Sequence, residues 1–228
     1  VQENHATHGG GIHFGPGTAA HVSNTTFWHN TATNQGGGAN VELAAPVLIH
    51  TTFHANSATA GGALYANGSA NPVVTNSIFW GDTPDEIQTD ADSAVTATYC
   101  DVQGGCTVAG GCTTDETGNM DADPHFLDSP IGDLRLWVTS PVVDQGDNAA
   151  TGTLATDQEG DPRILDGNED TQAVCDLGAD ELAWTLDTMP IIYVDQAAVG
   201  ANDGTSWTDA YVELRFALAA APAFHQIW

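Results

Sequence analysis

Three β-prone stretches align along the chain without a gap: His21-Val22-Ser23-Asn24-Thr25-Thr26-Phe27, Val47-Leu48-Ile49-His50-Thr51-Thr52-Phe53 and Val73-Val74-Thr75-Asn76-Ser77-Ile78-Phe79. Their phenylalanines, Phe27, Phe53 and Phe79, stand 26 residues apart. Asn30 and Asn56 keep the same period, and Asn4 precedes them by another 26. Glycine clusters recur as well: Gly9-Gly10-Gly11-Ile12, Gly36-Gly37-Gly38-Ala39 and Gly61-Gly62-Ala63-Leu64. Short β-prone runs separated by Gly, Asn, Pro or Ala-rich turns, with no 3.6-residue pattern, predict strands and no helices here. A unit of this size cannot bury a core alone, so successive units must stack.

Stacking at a strand spacing of roughly 4.8 Å places equivalent residues above one another. The expected fold is therefore all-β, a right-handed parallel β-helix. Phe27, Phe53 and Phe79 should form an aromatic column, and Val22, Leu48 and Val74 an aliphatic one. Asn24, His50 and Asn76 should form a polar ladder at a turn. A fourth, degenerate coil is predicted through Ile87 and residues 95–102. A propeller would need blades of about 40–45 residues.

Charge narrows the partners. The 228 residues include 30 Asp and Glu against three arginines, Arg135, Arg163 and Arg215, with no lysine, for a formal net charge of −27. No basic footprint exists to neutralise phosphates or anionic lipid, so neither nucleic acid nor a membrane surface is expected as a partner. Cations are favoured, either as a diffuse atmosphere or as bound Ca²⁺, the one expected cofactor. Solubility in salty water is the alternative reading of the acidity. At 41% apolar the chain is not a disordered acidic tail. No window holds 18 consecutive apolar residues, so no membrane insertion is expected. Val1 opens within a patterned stretch and no signal peptide is visible.

The cysteines are Cys100, Cys106, Cys112 and Cys175, with no C-x-x-C pair. An even number in a Gly, Thr and Asn-rich acidic chain suits two disulfides and an oxidising compartment. Of the three possible pairings, Cys106–Cys112 with Cys100–Cys175 is preferred because a short Gly-rich loop joins the first pair. Buried free thiols are the alternative.

Beyond the repeats the texture changes into a series of acidic motifs. Tyr99 opens Y-x-D-V-Q-G-G, and Asn119 opens N-x-D-A-D-P-x-F. These are followed by S-P-x-x-D-x-G-D from Ser140, D-x-x-G-x-P-R from Asp157 to Arg163, and D-x-G-A-x-E from Asp176 to Glu181. In this order they resemble the C-terminal part of bacterial choice-of-anchor surface proteins. The G-G-[GA]-[IL] and F-x-x-N elements resemble those of polymorphic outer-membrane (autotransporter) proteins and other pectin-lyase-like β-helices. The resemblance covers nearly the whole chain and implies an extracellular or cell-surface β-helix. It implies no activity, because such a fold is a scaffold on which function is placed separately.

The last 38 residues differ again. Residues 191–195 read as a strand and 200–206 as a loop. Thr208 opens a helix through Leu214, Phe216 and Leu218 to Ala221, ended by Pro222. In the family resemblance this Y-V-D…G-x-x-D-G-x-S-W pattern begins and caps a β-helix. The expected organisation is a β-helix with its closing loops over 1–183, a linker over 184–190, and a strand–loop–helix cap of a following unit over 191–228. An uncapped start and an unused cap suggest head-to-tail stacking into a fibre or stalk, with Tyr211, Leu214, Phe216 and Leu218 as the joint. An arbitrary fragment of a longer polypeptide would look the same.

Catalysis is not expected. Lyase chemistry on this fold needs a basic residue beside calcium-holding carboxylates, and none of the arginines falls in the repeats. Hydrolysis needs clustered acids on neighbouring coils, yet residues 1–80 hold only Glu3 and Glu42. The alternative function is a carbohydrate-active or glycan-binding β-helix. Calcium ligands are expected at Asp166, Asn168 and Asp170, alternate positions of a Gly-containing loop, and at the pair Asp144 and Asp147. The histidines of the repeats, among them His8 with His13 and His29 with His54, read as surface decoration rather than as a transition-metal site.

Overall fold

The 26-residue period becomes a solenoid of about four parallel coils. The structure, a computed structural model, describes residues 1–105, 112–114, 118–183, 191–220 and 226–227; of 112–114 and 226–227 it describes the backbone alone. The first coil holds β1 (His5–His8), β2 (Ile12–Phe14) and β3 (His21–Trp28). The second holds β4 (Thr31–Gln35), β5 (Ala39–Glu42) and β6 (Val47–His54). The third holds β7 (Leu64–Asn67) and β8 (Val73–Trp80), with isolated bridges at Ser57 and Ala60 continuing the face of β4. The fourth, degenerate coil is formed as expected, by β9 (Ile87–Thr89) and β10 (Val95–Val102). The backbone of β11 (Cys112–Thr114) pairs in parallel with β10.

The phenylalanine column is present. Phe27 lies opposite Phe53, and Phe53 opposite Phe79. The rings stack with centroids 4.5 and 4.8 Å apart and planes within 7° and 6°. Glycine makes room for them. A Cβ at Gly38 would lie 2.5 Å from the Phe53 ring, so any side chain there displaces the stack. Val22, Leu48, Val74 and Ala97 form the aliphatic column. In the fourth coil Val102 stands opposite Phe79, a spacing of 23 residues, and the aromatic column ends there.

The polar ladder differs from the expected one. Asn24, His50 and Asn76 sit at left-handed bends in the middle of β3, β6 and β8, with φ of 47°, 52° and 51°. Only His50 and Asn76 bond across coils, 3.2 Å apart; Asn24 turns to later residues instead. The continuous ladder runs inside the coil through Asn4, Asn30, Asn56 and Asp82. Asn4 donates from its backbone N and Nδ2 to Asn30 Oδ1. Asn30 does the same to Asn56 Oδ1, and Asn56 to Asp82 Oδ1 at 2.6 and 2.7 Å. Each buried amide is thereby satisfied by the coil that follows.

The ladder ends in a buried acid pair. Asp82 N donates to Glu86 Oε1 at 3.1 Å, and the two carboxyl groups lie against one another. Burial raises Asp82 to about 7 and Glu86 to about 10. A raised folded pKa gives stability that is full below the ordinary carboxylate range and lost as pH rises through the folded value. Asp82→Asn keeps the Oδ1 acceptor for Asn56 and removes the buried charge. The variant should melt higher than the parent at pH 8, by roughly 5 °C, and no higher at pH 4. A lower melting temperature at pH 8 would contradict this assignment.

Residues 118–183 do not coil; they brace the outer face of the β6–β8–β10 sheet. They include β12 (Phe126–Asp128), a 3₁₀ turn (Ser129–Ile131) and β13 (Asp133–Leu136), antiparallel to β12. Leu136, Val142, Val143, Leu177 and Leu182 form a second apolar cluster with Ile78. The acidic motifs fasten this brace. Asn119 bonds Cys100 N and Ala97 O of β10, and Asp101 Oδ1 accepts from Ala122 N. Asp157 Oδ1 accepts from three successive amides, of Glu159, Gly160 and Asp161, while its Oδ2 accepts from Glu181 N. Asp176 accepts from Asp144 N and Leu182 N, and Asp180 from Leu136 N. Carboxylates here replace the strand partners that irregular backbone lacks.

Arg163 is the centre of the brace and is 1% exposed. Its Nη1 donates to Gly178 O, Asp180 O and Glu181 Oε2, and its Nη2 to Ala179 O and to Asn24 Oδ1 of β3. Ala179 N donates to Thr52 Oγ1, and Asn76 exchanges bonds with the backbone of Asp147. A Cβ at Gly178, φ 91°, would meet Thr52 Oγ1 and the Ile78 side chain at 2.7 and 2.8 Å. The D-x-x-G-x-P-R and D-x-G-A-x-E motifs are thus structural fastenings.

The contacts divide the chain into two compact units, Val1–Ala183 and Trp184–Trp228; residues 184–190 lie outside the described ones. The second unit holds β14 (Ile191–Ile192), α1 (Leu214–Ala220) and β15 (Gln226–Ile227), the last two strands pairing in parallel. The expected helix is shorter at its start, because Asp209 serves the preceding loop. Asp209 Oδ1 accepts from Ala201 N and its carbonyl from Gly204 N, which holds residues 200–209 as a closed loop. Val194 bridges Tyr211. Among the described residues no helix is long and apolar enough to cross a membrane.

Candidate functional site

Side chains alternate across a strand, so Phe79 pointing inward sends Trp80 outward. Trp28, His54 and Trp80 are register partners at the ends of β3, β6 and β8. Trp28 is buried beneath Gly132, where a Cβ would lie 3.1 Å from its ring. His54 and Trp80 instead line an open groove of about 510 Å³, with Asp123, His125, Phe126, Leu127, Ser129 and Trp137 on the opposite wall.

That wall is built by the second acidic motif. Asp123 Oδ1 accepts from His125 N at 3.0 Å, which turns the chain through a left-handed His125, φ 48°. Pro124 O accepts from Ser140 Oγ at 2.6 Å, and His125 O accepts from Trp137 N. The two ends of the β12–β13 hairpin are so tied, with Trp137 left 41% exposed. His54 Nδ1 donates to Trp80 O at 2.6 Å, and its ring meets Phe126 edge-on at 5.3 Å. Burial lowers the His54 pKa, so this imidazole is neutral at pH 7. Of the groove residues, only His54 figured in the sequence reading. The signal for Trp80 was its place one residue beyond the periodic phenylalanine; nothing local marks Trp137 or His125.

The first 120 residues match the family model described as the right-handed β-helix region. The chain belongs to the right-handed β-helix family. No curated protein and no solved structure gives a significant match.

This β-helix places the other expected site residues as follows. Cys100 and Cys175 are free, buried thiols, so their expected pairing is corrected. Cys100 points into the coil interior beneath Val74 O. Cys175 lies in the brace, against Gly146 and Asn76. Burial raises both thiols to about 12, which keeps them protonated. Cys106 lies outside the described residues, as does the side chain of Cys112.

The expected calcium ligands are turned toward amides. Asp144 accepts from Gly167 N and Asn168 N, Asp147 from Ala149 N, and Asp166 from Asp170 N and Thr171 N. Asn168 accepts from Asp170 N, and Asp170 from Gln172 N. Among the described residues no group of three or more His, Cys, Asp or Glu is placed to hold a metal ion. The donor set expected for Ca²⁺ is therefore not assembled; the same oxygens stabilise tight turns.

The expected joint residues lie in the second unit. Leu214, Phe216 and Leu218 of α1 are 53%, 40% and 60% exposed, and Ala217 is its one buried residue. Tyr211 is half-buried beside Gly204.

Proposed function

We propose that this β-helix is an extracellular, cell-surface structural protein that adheres through copies of itself, joined head to tail, and that it is a scaffold rather than a catalyst. The observation that carries the reading is the exposed apolar surface of α1. Three large apolar side chains on one seven-residue helix, in a chain of net charge −27, form a patch that water disfavours. Self-association of an acidic protein must overcome charge repulsion, so the joint should tighten with salt. The ordered motifs between Tyr99 and Glu181 support a surface location by resemblance, and the use of their carboxylates as fastenings supports a structural role.

Sedimentation of the chain against the Leu214→Ser, Phe216→Ser, Leu218→Ser triple variant tests the joint. The parent should form concentration-dependent oligomers that grow with added NaCl, and the variant should remain monomeric. A monomeric parent at all concentrations, or a variant that still associates, would refute the reading.

A further inference from the structure

The groove between His54, Trp80 and Trp137 has a chemistry of its own, and we infer that it binds a small organic cation carrying a quaternary ammonium group. The groove lies wholly within unit 1, so this inference stands apart from self-association through α1.

The lining decides the charge of the occupant. Trp80, Trp137 and Phe126 supply three aromatic rings, and Asp123 supplies a carboxylate. Neither lysine nor arginine lines the groove, and the whole chain carries three arginines against 30 acids. An anionic ligand would enter a field that repels it and meet no cation to pair with. A cation is drawn in by the same field and received by aromatic faces, whose quadrupoles attract positive charge. The neutral, buried His54 ring adds another π-surface without adding a repelling charge.

The kind of cation follows from hydration. A primary ammonium is compact and strongly hydrated and needs several acceptors to replace its water. The acceptors here are few: one Asp123 oxygen is already engaged by His125 N, and the aromatic rings offer no lone pairs. A trimethylammonium group spreads its charge over methyl groups, sheds water readily and packs against tryptophan faces. The volume of about 510 Å³ lies in the range of small-ligand sites. Neutral saccharides also stack on tryptophan, but they would draw nothing from Asp123 or from the net charge.

Calorimetric and NMR titration of the full chain with choline chloride, at ionic strength held constant with NaCl, tests the assignment. The same titration is run with 3,3-dimethylbutan-1-ol, the uncharged shape-mimic of choline, with acetyl-lysine amide and with a neutral disaccharide. Choline should saturate with shifts confined to the indole and amide signals of the groove. It should bind at least about fivefold tighter than the uncharged mimic. Asp123→Asn and Trp137→Ala should each weaken it by about fivefold or more, while Trp137→Phe retains binding and reports an intact wall. Equal binding of the uncharged mimic would overturn the proposal. So would lysine amide binding as tightly as choline, saturation by the disaccharide alone, or choline binding unchanged in both Asp123→Asn and Trp137→Ala.

Discussion

Arg163→Met is expected to cost about 3–5 kcal/mol, the range for removing one partner of a buried, hydrogen-bonded ion pair. Methionine fills similar space but donates nothing. Four acceptors of the brace, Gly178 O, Ala179 O, Asp180 O and Glu181 Oε2, then lose this donor, together with Asn24 Oδ1 on β3. Burial already holds Asp176, Asp180 and Glu181 above the ordinary carboxylate range, to about 7, 8 and 9. Without the guanidinium, Glu181 has no cationic partner and takes up a proton more readily. The loss should therefore be greater at pH 9 than at pH 5, where protonated carboxyls no longer need the positive charge. Urea denaturation of the two proteins at both pH values measures this. A difference below about 1 kcal/mol at pH 9 would remove Arg163 from the centre of the brace.

Phe53→Ala is the second large effect, again about 3–5 kcal/mol. Phe53 is fully buried and stacked on both faces, by Phe27 and Phe79. Glycine at position 38 cannot fill the gap, because it has no side chain to move inward. The coils above and below hold their spacing through the Asn30–Asn56 and Asn56–Asp82 bonds, so the cavity collapses little. Phe53→Leu should recover part of the loss by filling volume without the stack. A thermal melt of Phe53→Ala equal to that of the parent would mean the column contributes no stability.

The 26-residue period carried the coils, the phenylalanine column and the fourth turn, because recurrence at a fixed spacing reports directly what stacks. It could not say which way a stacked residue faces. Asn24, His50 and Asn76 keep the same period as Asn4, Asn30 and Asn56, yet only the second series forms the internal ladder. The difference lies in backbone conformation, since the first series occupies left-handed bends that turn its side chains to the brace. Facing also decided the cysteines: Cys100 points into the coil and Cys175 meets Asn76 from the brace. The acidic motifs were visible as strings, but their partners are far away in sequence. Asn24 and Arg163 are 139 residues apart, and no local pattern encodes that meeting. The turn chemistry of Asp166, Asn168 and Asp170 imitates a cation loop because oxygens at alternate positions serve amides as readily as ions. The groove was hidden for a similar reason: Trp80 and Trp137 belong to different architectural layers, and only the β12–β13 hairpin brings them to one opening.

The central claim is that the repeats lie in parallel register, 26 residues apart, beneath a brace that does not coil. Disulfide mapping tests it most directly. His21 and Val47 are register partners at the starts of β3 and β6, and neither is buried. Neighbouring strands place such partners roughly 4.8 Å apart, within the range a disulfide bridges. His21→Cys combined with Val47→Cys should close a bond under mild oxidation, identified by peptide mass. His21→Cys combined with Leu48→Cys should not, because residue 48 points into the core. Ready closure of the second pair and none of the first would place the strands one residue out of register and contradict the stacked coil described here.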